Sequence, residues 1–308
     1  MGRAATAVAA LAAAAIALAP FLAGDGFVYH VAILVAIEGL LAVSLHLTLR
    51  IGQLSLAQGG FMGIGAYASA LLARDAGLPF PLALVGAVVI AAAIAAALGT
   101  VILRVRGVQF ALLTFGLGEA IVLIFVEFVV PFGGNNGLMG IPPASLGPLS
   151  LQARPAFYGF ALAVVFLVLL AVRGLLAGTP GMVLRSLADN EPLSRSLGTD
   201  ELAWRRLVFA ASAAVAAISG SLYAHYLGYI SPEAFNVGAT VKALIMNVVG
   251  GVGLLAGPLI GALILVPLPE LFRASVRYQQ LLYGLSLLAL MLFLPRGLGG
   301  LLAGRSRP

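Results

Sequence analysis

Three stretches, residues 76–103, 155–172 and 207–232, contain no charged side chain, and most of their positions are apolar. An α-helix rises about 1.5 Å per residue, so about 20 such residues span the roughly 30 Å hydrocarbon core of a bilayer. Runs of this length recur along the chain without the strict alternation of a membrane β-barrel. Hydrophobic residues make up 62% of the 308 positions and charged residues 9%, with a mean hydropathy of +1.11. A soluble domain is about 25% charged and lacks the interior to hide this much apolar surface. The expectation is an all-α, polytopic transmembrane helical protein forming a single domain over 1–308.

Spans are predicted near 4–23, 27–49, 52–73, 79–103, 107–131, 156–173, 207–229 and 276–294. Residues 238–269 are interrupted by GGVGLLAGP (Gly250 to Pro258) and form either a re-entrant pair or two tilted helices, giving eight to ten spans in all. The first run also has the small residues of a signal peptide, but the further spans favour a retained helix. Placing Arg3 inside puts 12 of the 17 basic residues on the cytoplasmic side, as the positive-inside rule requires. Residues 174–206 are then a cytoplasmic loop and 132–155 an extracytoplasmic one.

Several function classes drop out. There is no cysteine, and the 3 histidines are not at metal-ligand spacing, so no metal or other cofactor is expected. The basic excess is that of cytoplasmic arginines beside lipid, and no basic run is interleaved with aromatics as nucleic-acid binding would need. No nucleophile–base pair points to an enzyme.

The charges that remain are unevenly placed. Eight of the 28 fall within residues 185–206, RSLADNEPLSRSLGTDELAWRR. Here Asp189 or Asn190 can cap a helix, Glu191 suits its positive end, Pro192 fits its first turn, and Gly198 can stop it. Leu193 and Leu197, four apart, give that short helix one apolar edge, suited to a groove on another protein. Glu38 lies mid-span and Glu119 and Glu127 lie in 107–131. A carboxylate there costs about 2.5–3.5 kcal/mol, so Glu38 and Glu119 are either substrate or proton sites or hydrogen-bonded packing residues. Gln53, Ser55 and Gln58 precede closely spaced glycines, Gly59 and Gly63, and either meet a passing zwitterion or tie helices together. Lys242, the one lysine, is expected to snorkel to the interface. Asn135 and Asn136, in FGGNNGLMGIPP, lie on the extracytoplasmic rim.

Against these residues, GMVLRSLADNEPLSRSLG resembles the coupling loop of ATP-binding-cassette import permeases. GQLSLAQGGFMGIGAYASALL, RVRGVQFALLTFGLGE, FGGNNGLMGIP, LYAHYLGYISPEAF, VVGGVGLLAGPLIGALIL and LMLFLPRGLGGLL, in that order, resemble the LivM-type permease subunits of the branched-chain amino acid ABC transporter family. The resemblance implies a bacterial inner-membrane importer subunit. Its partners would be a second homologous permease, two cytoplasmic ABC ATPases and an extracytoplasmic substrate-binding protein. It also implies that Arg185, Glu191, Leu193, Ser194, Leu197 and Gly198 contact the ATPase. Family members usually carry small alanines where Pro192, Leu193 and Ser194 stand, so the docking face is altered here. Alternative readings are a permease for urea or short amides, and an ion-coupled transporter using Glu38 and Glu119.

Overall fold

A computed structural model describes residues 19–22, 24–147, 149–189, 199–271, 281, 284–286 and 288. Among the described residues, nine longer helices position everything that follows: α1 (Gly26–Leu49), α2 (Gln58–Arg74), α3 (Phe80–Ile102), α4 (Gly107–Glu127), α5 (Arg154–Leu176), α6 (Gly178–Asp189), α7 (Glu201–Leu227), α8 (Val237–Gly250) and α9 (Gly257–Leu265). Of these, α1, α3, α4, α5 and α7 are long and apolar enough to cross a membrane. The chain is a multi-pass, all-α membrane protein. Most of the expected spans at 4–23 and 276–294 lie outside the described residues.

Two helices form the centre. In their most apolar stretches α1 is 72% buried and α7 67%, against 28% for α3, α4 and α5. A helix apolar on every side belongs inside, and α1 has no polar face. α7 packs against α1, α2 and α3. Small residues allow this. Ala83, Ala87, Ala91, Ala95 and Gly99 line one buried stripe of α3 at four-residue spacing. Gly220 of α7 lies so close to the Met62 carbonyl and the Ala66 amide of α2 that no Cβ could be accommodated.

Several boundaries differ from the sequence expectation. The span expected at 52–73 begins only at Gln58, because the preceding residues 53–57 are not helical. There the Leu56 amide donates to Thr114 Oγ1 of α4 at 2.9 Å, and the bare Gly118 lets the Leu56–Ala57 backbone lie against that helix. Ser44 Oγ donates to Gln58 Oε1, so α2 starts level with Ser44. That is six residues, about 9 Å of helix, inside the Arg50 end of α1. The span expected at 107–131 breaks at Phe128, and Val130, the residue ahead of Pro131, is again outside the helical region, as a following proline favours. α7 starts six residues earlier than expected, capped by the Asp200 side chain on the Ala203 amide at 3.0 Å.

The charged loop contains a helix that was not foreseen. α6 covers Gly178–Asp189, so Asp189 ends a helical stretch instead of opening one; Asn190 lies outside the described residues. Outside the membrane, the loop after α4 is tied down by short antiparallel pairings, Leu138–Met139 with Tyr229–Ile230 and Ser145–Leu146 with Leu149–Ser150.

The broken segment is a helical hairpin. α8 and α9 pack on each other, with Gly250 against the Gly257 carbonyl and Gly261 against that of Met246, and both lean on α1. At 14 residues α8 is about 21 Å long, short of a full crossing.

Candidate functional site

The hairpin is held differently at its two ends. At the turn, Arg50 closes the C-terminus of α1 and reaches across to it. Its Nη2 donates to the Gly253 carbonyl at 2.8 Å, and its Nε donates to His46 Nε2 at 3.1 Å. His46 Nε2 is therefore the acceptor, so Nδ1 carries the proton and donates to Asn247 Oδ1 at 3.0 Å. Asn247 Nδ2 donates in turn to the Ala42 and Ala243 carbonyls at 2.8 and 2.9 Å. His46 and Asn247 are fully buried, and this chain of bonds satisfies their polar atoms. Arg185 of α6 stands close enough for its charge to act on Arg50. Burial first, and then Arg185, lowers the pKa of Arg50 from its usual value.

The other end carries charge. Glu38 sits at the middle of α1, about 18 Å from either end. Lys242 Nζ, in the second turn of α8, donates to Glu38 Oε1 at 3.1 Å. Lys242 therefore does not snorkel to the interface as expected; a carboxylate at mid-depth offers it a nearer partner. The pair is partly open, with Lys242 43% and Glu38 23% exposed. Tyr223 of α7 lies within electrostatic reach of both. Charges at this depth do not face hydrocarbon, so protein or water covers this side.

Beside them, two helix starts meet. The Gly59 amide of α2 donates to Thr240 Oγ1 of α8 at 2.8 Å, and Gly59 lies against the Phe235 and Asn236 carbonyls. Asn236 caps α8 through Gly238, and Glu119 Oε1 accepts from the Val237 amide at 3.0 Å. Glu119 thus sits at the N-terminal end of α8.

Gln53, Ser55 and Gln58 are enclosed within this chain, at 4% exposure or less. Gln58 ties three helices: its Oε1 accepts from Ser44 and its Nε2 donates to Ser212 at 2.8 Å. Neither amide atom of Gln53 has a partner among the described residues. Asn135 and Asn136 are both exposed on the outer loop, and the Asn136 carbonyl accepts from the Tyr229 hydroxyl at 3.1 Å. Arg185 is exposed on α6. Glu191, Leu193, Ser194, Leu197 and Gly198 lie outside the described residues. At the start of α7 Glu201, 7% exposed, pairs with Arg205 at 2.7 Å and with Arg106 at 3.1 Å, joining that helix to the α3–α4 connection.

Sequence reasoning missed the Arg50–His46–Asn247 chain, since nothing in the order of residues brings position 46 to position 247. The single lysine was the available signal for the ion pair. Two cavities of about 350 Å³ lie elsewhere, one among Arg104, Arg106, Asp200 and Glu201, the other among His30, Gln152, Arg154 and Tyr226. Among the described residues no cluster could hold a metal ion.

Residues 27–294 match the family described as branched-chain amino acid transport system / permease component. The chain is 33% identical to the high-affinity branched-chain amino acid transport system permease protein LivM of Escherichia coli (strain K12), over 91% of this chain and 71% of that one. It is 29% identical to the probable branched-chain amino acid transport permease protein LivM of Methanocaldococcus jannaschii, over 59% and 57%. It is 27% identical to the autoinducer 2 import system permease protein LsrC of Escherichia coli (strain K12 / DH10B), over 82% and 75%. No solved structure gives a significant match. With the match running through α1 to α9 and on to residue 294, the chain belongs to the branched-chain amino acid transport permease family.

Proposed function

We propose that this chain is the membrane-spanning permease subunit of an ATP-binding-cassette importer for branched-chain amino acids in a bacterial inner membrane. It works by alternating access with a second homologous permease, two cytoplasmic ATPases and an extracytoplasmic binding protein. Residues 174–206 form the coupling loop and 132–155 face the binding protein, with Asn135 and Asn136 on that rim. Glu191, Leu193, Ser194, Leu197 and Gly198 seat against an ATPase, flanked by Arg185. Glu38 and Glu119 line the translocation pathway from partly exposed positions. Gln53, Ser55 and Gln58 form the packed wall behind it.

The observation that carries the coupling is the grip of the Arg50 guanidinium on the turn of the hairpin, with Arg185 of α6 within electrostatic range of it. A push that displaces the Arg50 end of α1 is passed through that bond to the segment that bears Lys242. Force delivered at the coupling loop then moves a mid-span element without passing through lipid-facing helices. Nothing favours a proton relay between Glu38 and Glu119, since each is bonded to a different partner.

The test is co-purification and uptake in the assembled transporter. Glu191→Lys and Gly198→Asp should leave the subunit inserted, reduce ATPase recovery at least fivefold, and abolish ATP-driven leucine uptake. Normal recovery and uptake in both variants overturn the docking role, and uptake that persists without the ATPases overturns the importer.

A further inference from the structure

We propose that the Glu38–Lys242 pair is a binding station for the zwitterionic head group of an amino acid as it crosses the membrane. The inference rests on the importer reading above and deepens it. An α-amino acid carries an ammonium and a carboxylate on one carbon, a few ångströms apart. The protein presents the complement: a carboxylate on α1 and an ammonium on α8 joined at 3.1 Å, both partly exposed. An arriving zwitterion exchanges the one ion pair for two. Its ammonium donates to Glu38, and its carboxylate accepts from Lys242. No net charge enters, so each end of the substrate keeps a partner where water is scarce.

Three features of the surroundings suit this task. Glu38 lies halfway along α1, near the bilayer midplane, where transporters commonly place their sites on interrupted helices. Tyr223 of α7 lies within electrostatic reach of both charges. Val241, 42% exposed and next to Lys242, offers apolar surface for a branched side chain. The two partners also sit on separable elements. Glu38 is built into the buried central helix, whereas Lys242 rides on a hairpin whose turn is gripped by Arg50. Movement of the hairpin lengthens or restores the gap between the charges, which loads and releases the substrate.

A purely structural ion pair is the rival explanation, and the two separate when both charges are removed together. In Glu38→Gln/Lys242→Met neither member of the pair is stranded by loss of the other, so a structural pair is replaced at little cost and uptake stays within twofold of wild type. A binding station loses leucine uptake at least tenfold, while the variant subunit is recovered with its partners in normal yield. The second measurement does not depend on ATP. The assembled transporter is irradiated with photo-leucine, the diazirine analogue of leucine, and the labelled peptides are mapped. We expect labelling of α1 or α8 peptides around Glu38 or Lys242, lost in the double variant. Leucine should compete with this labelling; isoamylamine, which lacks the carboxylate, and 4-methylpentanoate, which lacks the ammonium, should compete at least tenfold less well. Unchanged labelling in the double variant, no labelling of either helix, or equal competition by all three compounds overturns the station. Failure of the importer reading shows separately, as wild-type uptake that does not require ATP.

Discussion

The two ends of the α8–α9 hairpin are built from opposite materials. The turn end is sealed: His46 and Asn247 are fully buried, their polar atoms are paired, and backbone meets backbone at Gly250, Gly257 and Gly261. The open end has a partly exposed ion pair, a carboxylate on a helix start, and a tyrosine nearby. The difference shows how one short segment can be both held and used. Close packing and a satisfied hydrogen-bond chain fix its position relative to α1. Partly exposed charge leaves its other end open to exchange partners.

The contrast can be broken most severely at the packed contact. Gly261→Val places a branched side chain where the Met246 carbonyl already stands, and backbone cannot yield as a side-chain tip can. A destabilisation of about 3 kcal/mol or more is expected, seen as loss of monodisperse protein on size exclusion. Next comes Asn247→Leu, which leaves the His46 Nδ1–H buried without a partner. The expected cost is about 1–3 kcal/mol, a drop in melting temperature of several degrees, and an equal drop would not follow from a substitution at the open end.

At that open end the effects are smaller and depend on pairing. Lys242→Met alone strands the Glu38 carboxylate, whereas Glu38→Gln/Lys242→Met does not. The single variant should be the less stable, by about 1 kcal/mol, a figure reduced because water or a partner reaches both groups. Equal stability of the two in thermal unfolding would make the pair energetically silent. The smallest effect belongs to Arg74 and Asp75 at the outer end of α2. Their 2.6 Å hydrogen bond holds the Asp75 carboxyl below its usual pKa. A lowered carboxylate pKa means that any contribution is fully present above the unfolded value and is lost as pH falls through the folded one. Asp75→Asn should therefore leave the melting temperature unchanged within error at pH 7, because the group is fully exposed.

The membrane-spanning helices were largely readable in the residues. Recurrent apolar runs gave α1, α3, α4 and α5 to within a few positions, because solvation by lipid depends on composition and length alone. Span ends were misjudged where tertiary partners decide them. Residues 53–57 carry no signal that ends a span, but the contacts of Leu56 and Ala57 with Thr114 and Gly118 of α4 hold that stretch out of the helix. α6 was missed because charge was taken as the mark of a loop, whereas Val183, Leu184 and Leu187 give it an apolar side and bury the two leucines. Glu38 and Glu119 stood out as costly at their depth. Their different partners, a lysine and a helix start, could not be read, since both are more than a hundred residues away.

The order of residues by itself determined that this chain lives in a bilayer and that its interior charges must be accounted for. Those properties follow from the free energy of moving each residue between water and lipid, a quantity that belongs to local segments. Only the tertiary structure decided which charge meets which, and that the glycine-rich break is a hairpin gripped by Arg50. Ion pairs and backbone contacts act over a few ångströms, and only folding brings position 38 to 242 or position 50 to 253.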